Sequence, residues 1–262
     1  PHIKAILNYD ESTLKTGRPF DMVCREFLKW CGEDYTFCTW GAMDLSYLQN
    51  NMEYYYLNPL PTPLKFYNIQ QIYADVSEPN GSIVKLGKAV NALNIEKDRP
   101  FHSAVNDAYY TSAVFAAIKP KDLKDRFVYD IYNNPKAKED ELISYHSNYM
   151  EHISREFSNK FEAMEDKELL TIRCYKCGKK TAKRVKWYAS SPNSYSCAGK
   201  CWYHGLVAGK LKFKQARDGN IFVIKTMVPT DKKGMESIRN RQDELRIKRQ
   251  TKRHNKHNRK SQ

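Results

Sequence analysis

The chain has 262 residues and a formal net charge of +14, and 41% of its residues are hydrophobic. This composition provides enough apolar side chains for a core and excludes a wholly disordered chain, while the length exceeds that of an ordinary single domain. No apolar run approaches the roughly 18 residues of a membrane span, and the first residues, PHIKAILNYDES, lack the features of a secretory signal. We therefore predict an intracellular, cytoplasmic protein without a membrane partner. The missing initiator Met suggests a processed or truncated chain.

The positive charge is concentrated in the C-terminal half. Residues 173–214 contain eleven Lys or Arg and no acid, and residues 232–260 contain twelve basic residues against three acidic ones. The rest of the chain is therefore net acidic. Such an asymmetry is typical of a protein in which one part performs metal chemistry and another holds a polyanion. An anionic membrane surface or an acidic protein is the alternative partner.

Hydrophobic periodicity predicts alternating helices and strands over the first 118 residues. The predicted helix at 18–31 has Phe20, Val23, Phe27 and Trp30 at helical intervals. A short aromatic segment at 35–41, YTFCTWG, predicts a buried strand, and a helix begins near Asp44. Three further segments predict a second strand and two helices: KFYNIQQIYAD, GSIVKLGKAVNALNI and AVNDAYYTSAVFAAI. Strands that alternate with helices predict an α/β layer fold.

The last of these helices begins with an unusual pair of polar residues. Ser103 lies at the N-cap position, His102 precedes it, and Asp107 lies in the first turns, so His102 and Asp107 could reach one cleft. Two solvated surface groups are the simpler interpretation of this pair. The remaining apolar stripe is predicted to face the core and comprises Ala104, Ala108, Thr111, Phe115 and Ile118.

The second half of the chain is predicted to contain three segments. Residues 133–170 are predicted to be a helical connector, because one helical stripe carries Leu142, Tyr149, Ile153, Phe157, Phe161 and Met164. Residues 171–228 contain the cysteine cluster described next. Residues 229–262 have too few apolar side chains to bury a face and predict a basic, disordered tail.

The strongest chemical signal is two close cysteine pairs, formed by Cys174, Cys177, Cys197 and Cys201. Two thiol pairs on two turns can surround one tetrahedral Zn²⁺, with a hairpin between them. We predict a small zinc ribbon in a reducing compartment, with a structural metal and no catalytic role. His204 could replace one of the cysteines, and two redox or free thiol pairs are the alternative. The other cysteines are predicted to be buried thiols: Cys24, Cys31 and Cys38.

Basic and aromatic residues surround the predicted zinc ligands. Cations that meet phosphates and rings that stack on bases are the ingredients of single-strand recognition. We therefore predict that this module binds single-stranded RNA or DNA, in preference to a protein partner. The candidate contact residues are Lys180, Lys183, Arg184, Lys186, Trp187, Trp202 and Tyr203.

Two motifs within residues 1–118 resemble the second and third motifs of the DEDDh 3′–5′ exonucleases, the superfamily of polymerase proofreading subunits and RNase T. They read TWGAMDLSYL, which contains Asp44, and FHSAVNDAYYTSAVF, which contains His102 and Asp107. The resemblance implies a ribonuclease-H-like exonuclease fold over residues 1–132, N-terminally incomplete, and a two-metal phosphodiester hydrolysis. In that scheme Asp44 and Asp107 are Mg²⁺ or Mn²⁺ ligands, and His102 takes the proton from the attacking water.

The first motif of that family, an Asp-x-Glu on the first strand, is not found in the sequence. Asp10 and Glu11 are adjacent and do not match its spacing. We therefore expect that the first strands of a parent enzyme are missing and that this chain alone is weakly active or inactive. The alternative is a non-catalytic nucleic-acid-binding zinc-ribbon protein on a degenerate nuclease scaffold. A zinc-ribbon adaptor for an acidic protein is a third hypothesis.

Overall fold

The structure, a computed structural model, describes residues 16–78, 82–146 and 148–258. Asp10 and Glu11 lie outside the described residues. The chain forms two compact units, Pro1–Asn133 and Asn134–Gln262. A three-stranded sheet belongs to the first unit and a six-stranded sheet to the second. The fold is therefore mixed α/β, as the alternating pattern predicted, while its ribonuclease-H-like character stays a prediction.

The first unit is built around a short mixed sheet in the order β1-β2-β3. β1 pairs with β2 in parallel, Phe37 opposite Phe66, and β2 pairs with β3 antiparallel. The helices between the strands make the parallel pairing possible, because a parallel connection must cross over the sheet. The elements are α1 (Phe20–Cys31), β1 (Phe37–Thr39), α2 (Asp44–Tyr54), β2 (Lys65–Asn68), α3 (Ile69–Ser77), α4 (Leu86–Ala92), α5 (Ala104–Ala117), α6 (Pro120–Leu123) and β3 (Val128–Tyr129).

Helix α1 packs through a face that includes Phe20 but otherwise differs from the one predicted. Cys24 is buried in a cluster with Leu45, Met52 and Phe66. Trp30, on the predicted core face, is 82% exposed, and Val23 and Phe27 are also exposed. The sequence pattern selected the larger side chains, whereas the neighbouring stripe, which includes the small thiol of Cys24, fits the closely packed interior.

The second unit is dominated by antiparallel strands in the order β4-β5-β9-β8-β7-β6. Strands β6, β7 and β8 each pair along most of their length with the next strand in the chain, as tight turns between long strands require. The elements are a 3₁₀ turn (Lys138–Asp140), β4 (Leu142–Tyr145), β5 (Met150–Ile153), α7 (Lys160–Glu165), α8 (Lys167–Leu170), β6 (Ala182–Ser191), β7 (Ser194–Cys201), β8 (Gly205–Gln215), β9 (Ile221–Pro229) and α9 (Lys232–Asn258).

The prediction of a helical connector at 133–170 was wrong. This segment contains the β4–β5 hairpin and the two short helices α7 and α8. β5 also pairs with β9, Met150 opposite Met227, so its backbone hydrogen bonds are made across the sheet. Long-range pairing thus outweighs the local helical pattern, which is only a weak constraint when a strand can be buried between two others.

The prediction of a disordered C-terminal tail was also wrong. Residues Lys232–Asn258 form α9, which packs on a sheet cluster of Val185, Tyr188 and Ala198. The packed residues of the helix recur at intervals of three and seven: Met235, Ile238 and Leu245. The Tyr188 hydroxyl donates to the Ile238 carbonyl at 3.0 Å. Few apolar residues are sufficient here because polar side chains complete the contact.

Those polar contacts extend along the edge strand β6. The Gln242 side chain donates to the Lys186 carbonyl at 3.3 Å, and Arg249 donates to the Ala189 carbonyl at 2.8 Å. Gln242 and Arg249 continue the same seven-residue spacing. The helix therefore satisfies carbonyls that a sheet edge would otherwise leave unpaired.

Candidate functional site

A cleft with a volume of about 1330 Å³ lies in the first unit. The end of β1, the start of α2, α4 and one side of α5 line it. It brings together the three residues predicted to carry catalysis, Asp44, His102 and Asp107. Asp44 begins α2, His102 lies in the loop before α5, and Asp107 lies in the first turn of α5.

A hydrogen bond fixes the relative position of two of these residues. The His102 backbone N–H donates to Asp107 Oδ1 at 3.2 Å. His102 has a φ of 71°, in the left-handed region that non-glycine residues seldom adopt. Ser103 precedes the helix, as predicted, but its side chain makes no capping hydrogen bond. The Asp107 carboxylate instead stabilises the turn that presents the His102 side chain to the cleft.

The third residue, Asp44, is the first residue of α2. Partial burial in the cleft raises the pKa of the Asp44 carboxyl. Carboxylates are suitable ligands for Mg²⁺ or Mn²⁺. The cleft nevertheless supplies only these two predicted carboxylates, and the described residues contain no carboxylate cluster of three or more ligand groups there. The donor chemistry fits a hard cation in part, and the ligand set for a pair of cations is incomplete.

The stripe of α5 that was predicted to face the core does so at its C-terminal end, where Ile118 is buried in a core cluster, and borders the cleft nearer its start. Ala104, Ala108 and Phe115 are among its lining residues. The core side of α5 is formed by Tyr110 and Val114, both fully buried. Small residues on the cleft side leave room for a ligand, whereas the bulky ones fill the interior.

Cys38 also lines the cleft and is exposed, so the prediction that it is buried was wrong. Cys24 is buried as predicted, and Cys31 is half-buried. Desolvation in the cleft raises the pKa of the Cys38 thiol. A nucleophilic cysteine requires a lowered pKa, so the raised pKa of Cys38 gives no support to thiol catalysis.

The second candidate site is a metal-ligand cluster in the second unit. It contains Cys174, Cys177, Cys201 and His204, whose ligand atoms lie within 4.8 Å of one another. Cys177 Sγ lies 3.8 Å from Cys201 Sγ, and Cys174 Sγ lies 3.5 Å from His204 Nδ1. A tetrahedral zinc site with Zn–S bonds of about 2.3 Å has sulfur atoms roughly 3.8 Å apart. Both the ligand types and the distances therefore fit a structural zinc ion.

The four-cysteine ligand set requires one correction, since the structure brings His204 into the cluster and leaves Cys197 outside it. Cys197 and Cys201 both lie in β7, four residues apart. An extended strand separates such residues by roughly 13 Å, which is too far for one ion. Cys201 ends the strand, and the following turn returns His204 to it. Cys197 is fully buried beside Gly209 and Met227.

Backbone groups favour the thiolate form of one ligand in this cluster. Burial raises the pKa of the Cys201 thiol, but the Tyr203 and His204 backbone N–H groups and the His204 side chain outweigh it and lower the pKa to about 6. The Lys176 N–H also donates to Cys174 Sγ at 3.4 Å, but burial outweighs it and raises the pKa of the Cys174 thiol. Such amide donors are what a thiolate cluster needs in order to be stable without neutralising side chains.

The predicted nucleic-acid contacts divide into exposed and packed residues. Trp202 and Tyr203, on the turn between Cys201 and His204, are 87% and 74% exposed. Trp187 instead packs in two core clusters and donates from Nε1 to the Leu170 carbonyl at 2.8 Å. It is therefore part of the core and presents no free ring for stacking. The cations of the set are all exposed: Lys180, Lys183, Arg184 and Lys186.

One group of basic residues was missed as a candidate. In β8 the buried residues alternate with the exposed Lys210, Lys212 and Lys214, so the three lysines share one face of the strand. The period of two in LVAGKLKFK could have identified this face. The basic segment that already indicated a polyanion partner forms helix α9 and adds a second row of exposed cations, which includes Lys248 and Lys252.

Comparison of the chain with protein-family models, with curated proteins and with solved structures finds no match. In the described part of the chain, no helix is both long enough and apolar enough to cross a membrane. Functional conclusions therefore rest on the two sites themselves.

Proposed function

We propose that this protein is a metal-dependent 3′–5′ exonuclease that hydrolyses the phosphodiester bonds of single-stranded nucleic acid. One observation carries the proposal: Asp44, which is distant in sequence from His102 and Asp107, lines one cleft with them. The same residues carry the resemblance to the DEDDh exonucleases. Two independent routes, motif order and spatial convergence, therefore favour the same site.

In this proposal each side chain has a distinct role. Asp44 and Asp107 would hold Mg²⁺ or Mn²⁺, and the bound cation would stabilise negative charge on the phosphate oxygens. His102 would accept the proton of the attacking water, since an imidazole nitrogen is a common general base in hydrolysis. The hydrogen bond from the His102 backbone to Asp107 would keep the base next to the cation ligand. Further carboxylates are needed to complete the cation site.

The second unit would hold the substrate strand. Its exposed lysines and arginines would contact phosphates, and Trp202 and Tyr203 would stack on unpaired bases. Zinc would stabilise the turn that carries both rings, because the ligands Cys201 and His204 flank them. This division separates binding, in the second unit, from hydrolysis, in the first.

The test compares hydrolysis and binding in matched variants. Asp107→Asn keeps an oxygen that can accept the His102 hydrogen bond but removes the charge, and Asp122→Asn is the control in α6, outside the cleft. With Mn²⁺ and end-labelled single strands, Asp107→Asn and His102→Ala should lower the rate by about 10²–10⁴-fold while binding persists. Equal loss of binding and hydrolysis would contradict the proposed division.

The second candidate function is non-catalytic nucleic-acid binding. The incomplete carboxylate set of the cleft favours it, while the basic surface and the metal cluster are unaffected by that deficiency. It predicts salt-sensitive binding of single strands without Mn²⁺-dependent cleavage, in wild type and variants alike.

A further inference from the structure

The cleft of the first unit also contains cationic and amide side chains that the hydrolytic scheme leaves without a role. Lys85, Lys88 and Asn91 line it together with the two carboxylates and His102. A cleft that served only to hold cations would gain nothing from lysines, because like charges repel. The mixture of acids and lysines instead fits an anionic ligand that is bound beside a cation.

The two lysines differ in what they already contact. Lys88 Nζ lies 3.0 Å from Glu78 Oε2, so its charge is paired. Lys85 is exposed and forms no ion pair with any residue in the described ranges. The Lys85 carbonyl accepts hydrogen bonds from the backbone N–H groups of Lys88 and Ala89, which fixes its backbone at the start of α4. The Lys85 ammonium thus projects from a fixed backbone position and has no acidic partner among those residues.

Apolar side chains provide a wall beside these polar groups. Leu86, Phe101 and Phe115 line the cleft and are only partly buried. Phe101 stacks on Tyr110 with ring centroids 4.6 Å apart, and the Tyr110 hydroxyl donates to the Arg99 carbonyl at 2.8 Å. These contacts hold the Phe101 ring in place. The cleft volume of about 1330 Å³ exceeds the roughly 300–1,000 Å³ of ordinary small-ligand pockets.

We infer that Lys85 is a positioning residue that binds the phosphate of the terminal nucleotide, while its base packs on Leu86, Phe101 and Phe115. The ligand class is a nucleoside 5′-monophosphate, or the same unit at the end of a strand. This inference rests on the proposed exonuclease function and adds the group that holds the substrate end in the cleft. An unpaired lysine supplies a charge-assisted contact to phosphate, and the apolar wall supplies the surface for the base.

Calorimetric titration of the full chain, loaded with zinc and without added Mg²⁺ or Mn²⁺, tests the inference. The probes are 5′-AMP, adenosine and inorganic phosphate. We expect 5′-AMP to bind at least about ten times more tightly than adenosine or phosphate, because only it uses both the lysine and the apolar wall. Lys85→Gln should weaken 5′-AMP binding about tenfold and leave adenosine binding unchanged. The matched control is Lys97→Gln, an exposed lysine outside the cleft.

Two results would overturn the inference: equal binding of 5′-AMP and adenosine by the wild type, or equal effects of Lys85→Gln and Lys97→Gln. The hydrolysis assay separates this inference from the proposed function. If strands are cleaved but KM is insensitive to Lys85→Gln, the exonuclease stands and the role of Lys85 fails. If 5′-AMP binds through Lys85 but no strand is cleaved, the nucleotide site stands and the exonuclease fails.

Discussion

Replacing His204 and Cys197 separately distinguishes the metal ligands seen in the structure from those predicted by spacing. His204 Nδ1 lies 3.5 Å from Cys174 Sγ and 3.8 Å from Cys201 Sγ, whereas Cys197 is buried in β7 away from the cluster. We expect His204→Ala to weaken zinc binding strongly. Cys197→Ala should leave zinc affinity unchanged and affect only packing.

The expected size of each effect follows from the geometry. Structural zinc sites bind with about 10–16 kcal/mol, so one ligand of four is worth about 3–4 kcal/mol, which is on the order of 100- to 1000-fold in affinity. Cys197 lies beside Gly209 and Met227. Loss of its sulfur leaves a small cavity and should lower the free energy of unfolding by about 1 kcal/mol.

The assay is competition for zinc against a chromophoric chelator, supported by cobalt spectra. Cobalt should show thiolate charge-transfer bands in the wild type and in both variants, with undiminished intensity in Cys197→Ala. His204→Ala should retain the thiolate bands but bind cobalt and zinc more weakly. If Cys197→Ala weakened zinc binding by about 100-fold while His204→Ala did not, the four-cysteine set would be correct and the structural assignment would be refuted.

Three further predictions concern the second unit. Lys225 is almost fully buried, and desolvation lowers its pKa from 10.5 to about 8. Between pH 8 and 10.5 the unfolded state therefore binds more protons than the folded state. The free energy of unfolding should rise with pH over this range, by about 3 kcal/mol in total. In Lys225→Met, urea unfolding should lack this rise. Leu245→Ala should lower stability by about 1–2 kcal/mol, because Leu245 packs on β6 and β7. Replacing Lys248 and Lys252 by Gln should make the slope of log K against log salt concentration for single-strand binding less steep. The slope should change by about 0.7 for each phosphate that these lysines neutralise in the wild type.

Each of these predictions has its own control. For Lys225, the difference between wild type and variant is taken at each pH, because cysteines and tyrosines titrate in the same range; a difference that does not change with pH contradicts the assignment of the rise to Lys225. Ile247 is 59% exposed, so Ile247→Ala should cost far less than Leu245→Ala. An unchanged salt slope would show that α9 does not contact the phosphates.

The organisation of the first unit was largely predictable because local signals agree with tertiary structure there. The aromatic segment 35–41 contains β1, the helix near Asp44 is α2, and the segment after Ser103 is α5. What the pattern could not identify is which helix face is buried. Small residues such as Cys24 and Ala108 give weak hydrophobic signals, although close packing or an adjacent cleft depends on them.

The second unit was less predictable because its contacts are distant in sequence. The segment 142–153 has apolar residues that suit a helical stripe, but pairing of β5 with β9 determines its structure. Helix α9 has low hydrophobicity overall, and its packing relies on three apolar residues with Gln242 and Arg249 between and beyond them. The sequence contains a seven-residue spacing between Ile238 and Leu245. The high density of charged residues around it nevertheless favoured the prediction of disorder.

In the candidate sites, too, local motifs were predictable from the sequence, whereas positions set by the folded structure were not. The cysteine pairs indicated a zinc site, but spacing alone treated Cys197-x3-Cys201 as a turn, whereas the whole of that segment lies in a strand. Because β7 ends at Cys201, Cys197 is held away along the strand, while the turn after Cys201 brings His204 into the cluster. In the cleft, Asp44, His102 and Asp107 were identified through motifs, while Lys85 has no motif and became visible through its location.

The proposed exonuclease requires that the cleft removes nucleotides from the 3′ end of a strand with the help of a divalent cation. A direct test incubates the chain, and a form extended to its natural start codon, with 3′- and 5′-labelled single-stranded RNA and DNA, with or without Mn²⁺. We expect Mn²⁺-dependent, stepwise removal of nucleotides from the 3′ end, strongest in the extended form and abolished by Asp107→Asn. Binding without cleavage by both forms would contradict the exonuclease and favour the non-catalytic nucleic-acid-binding protein.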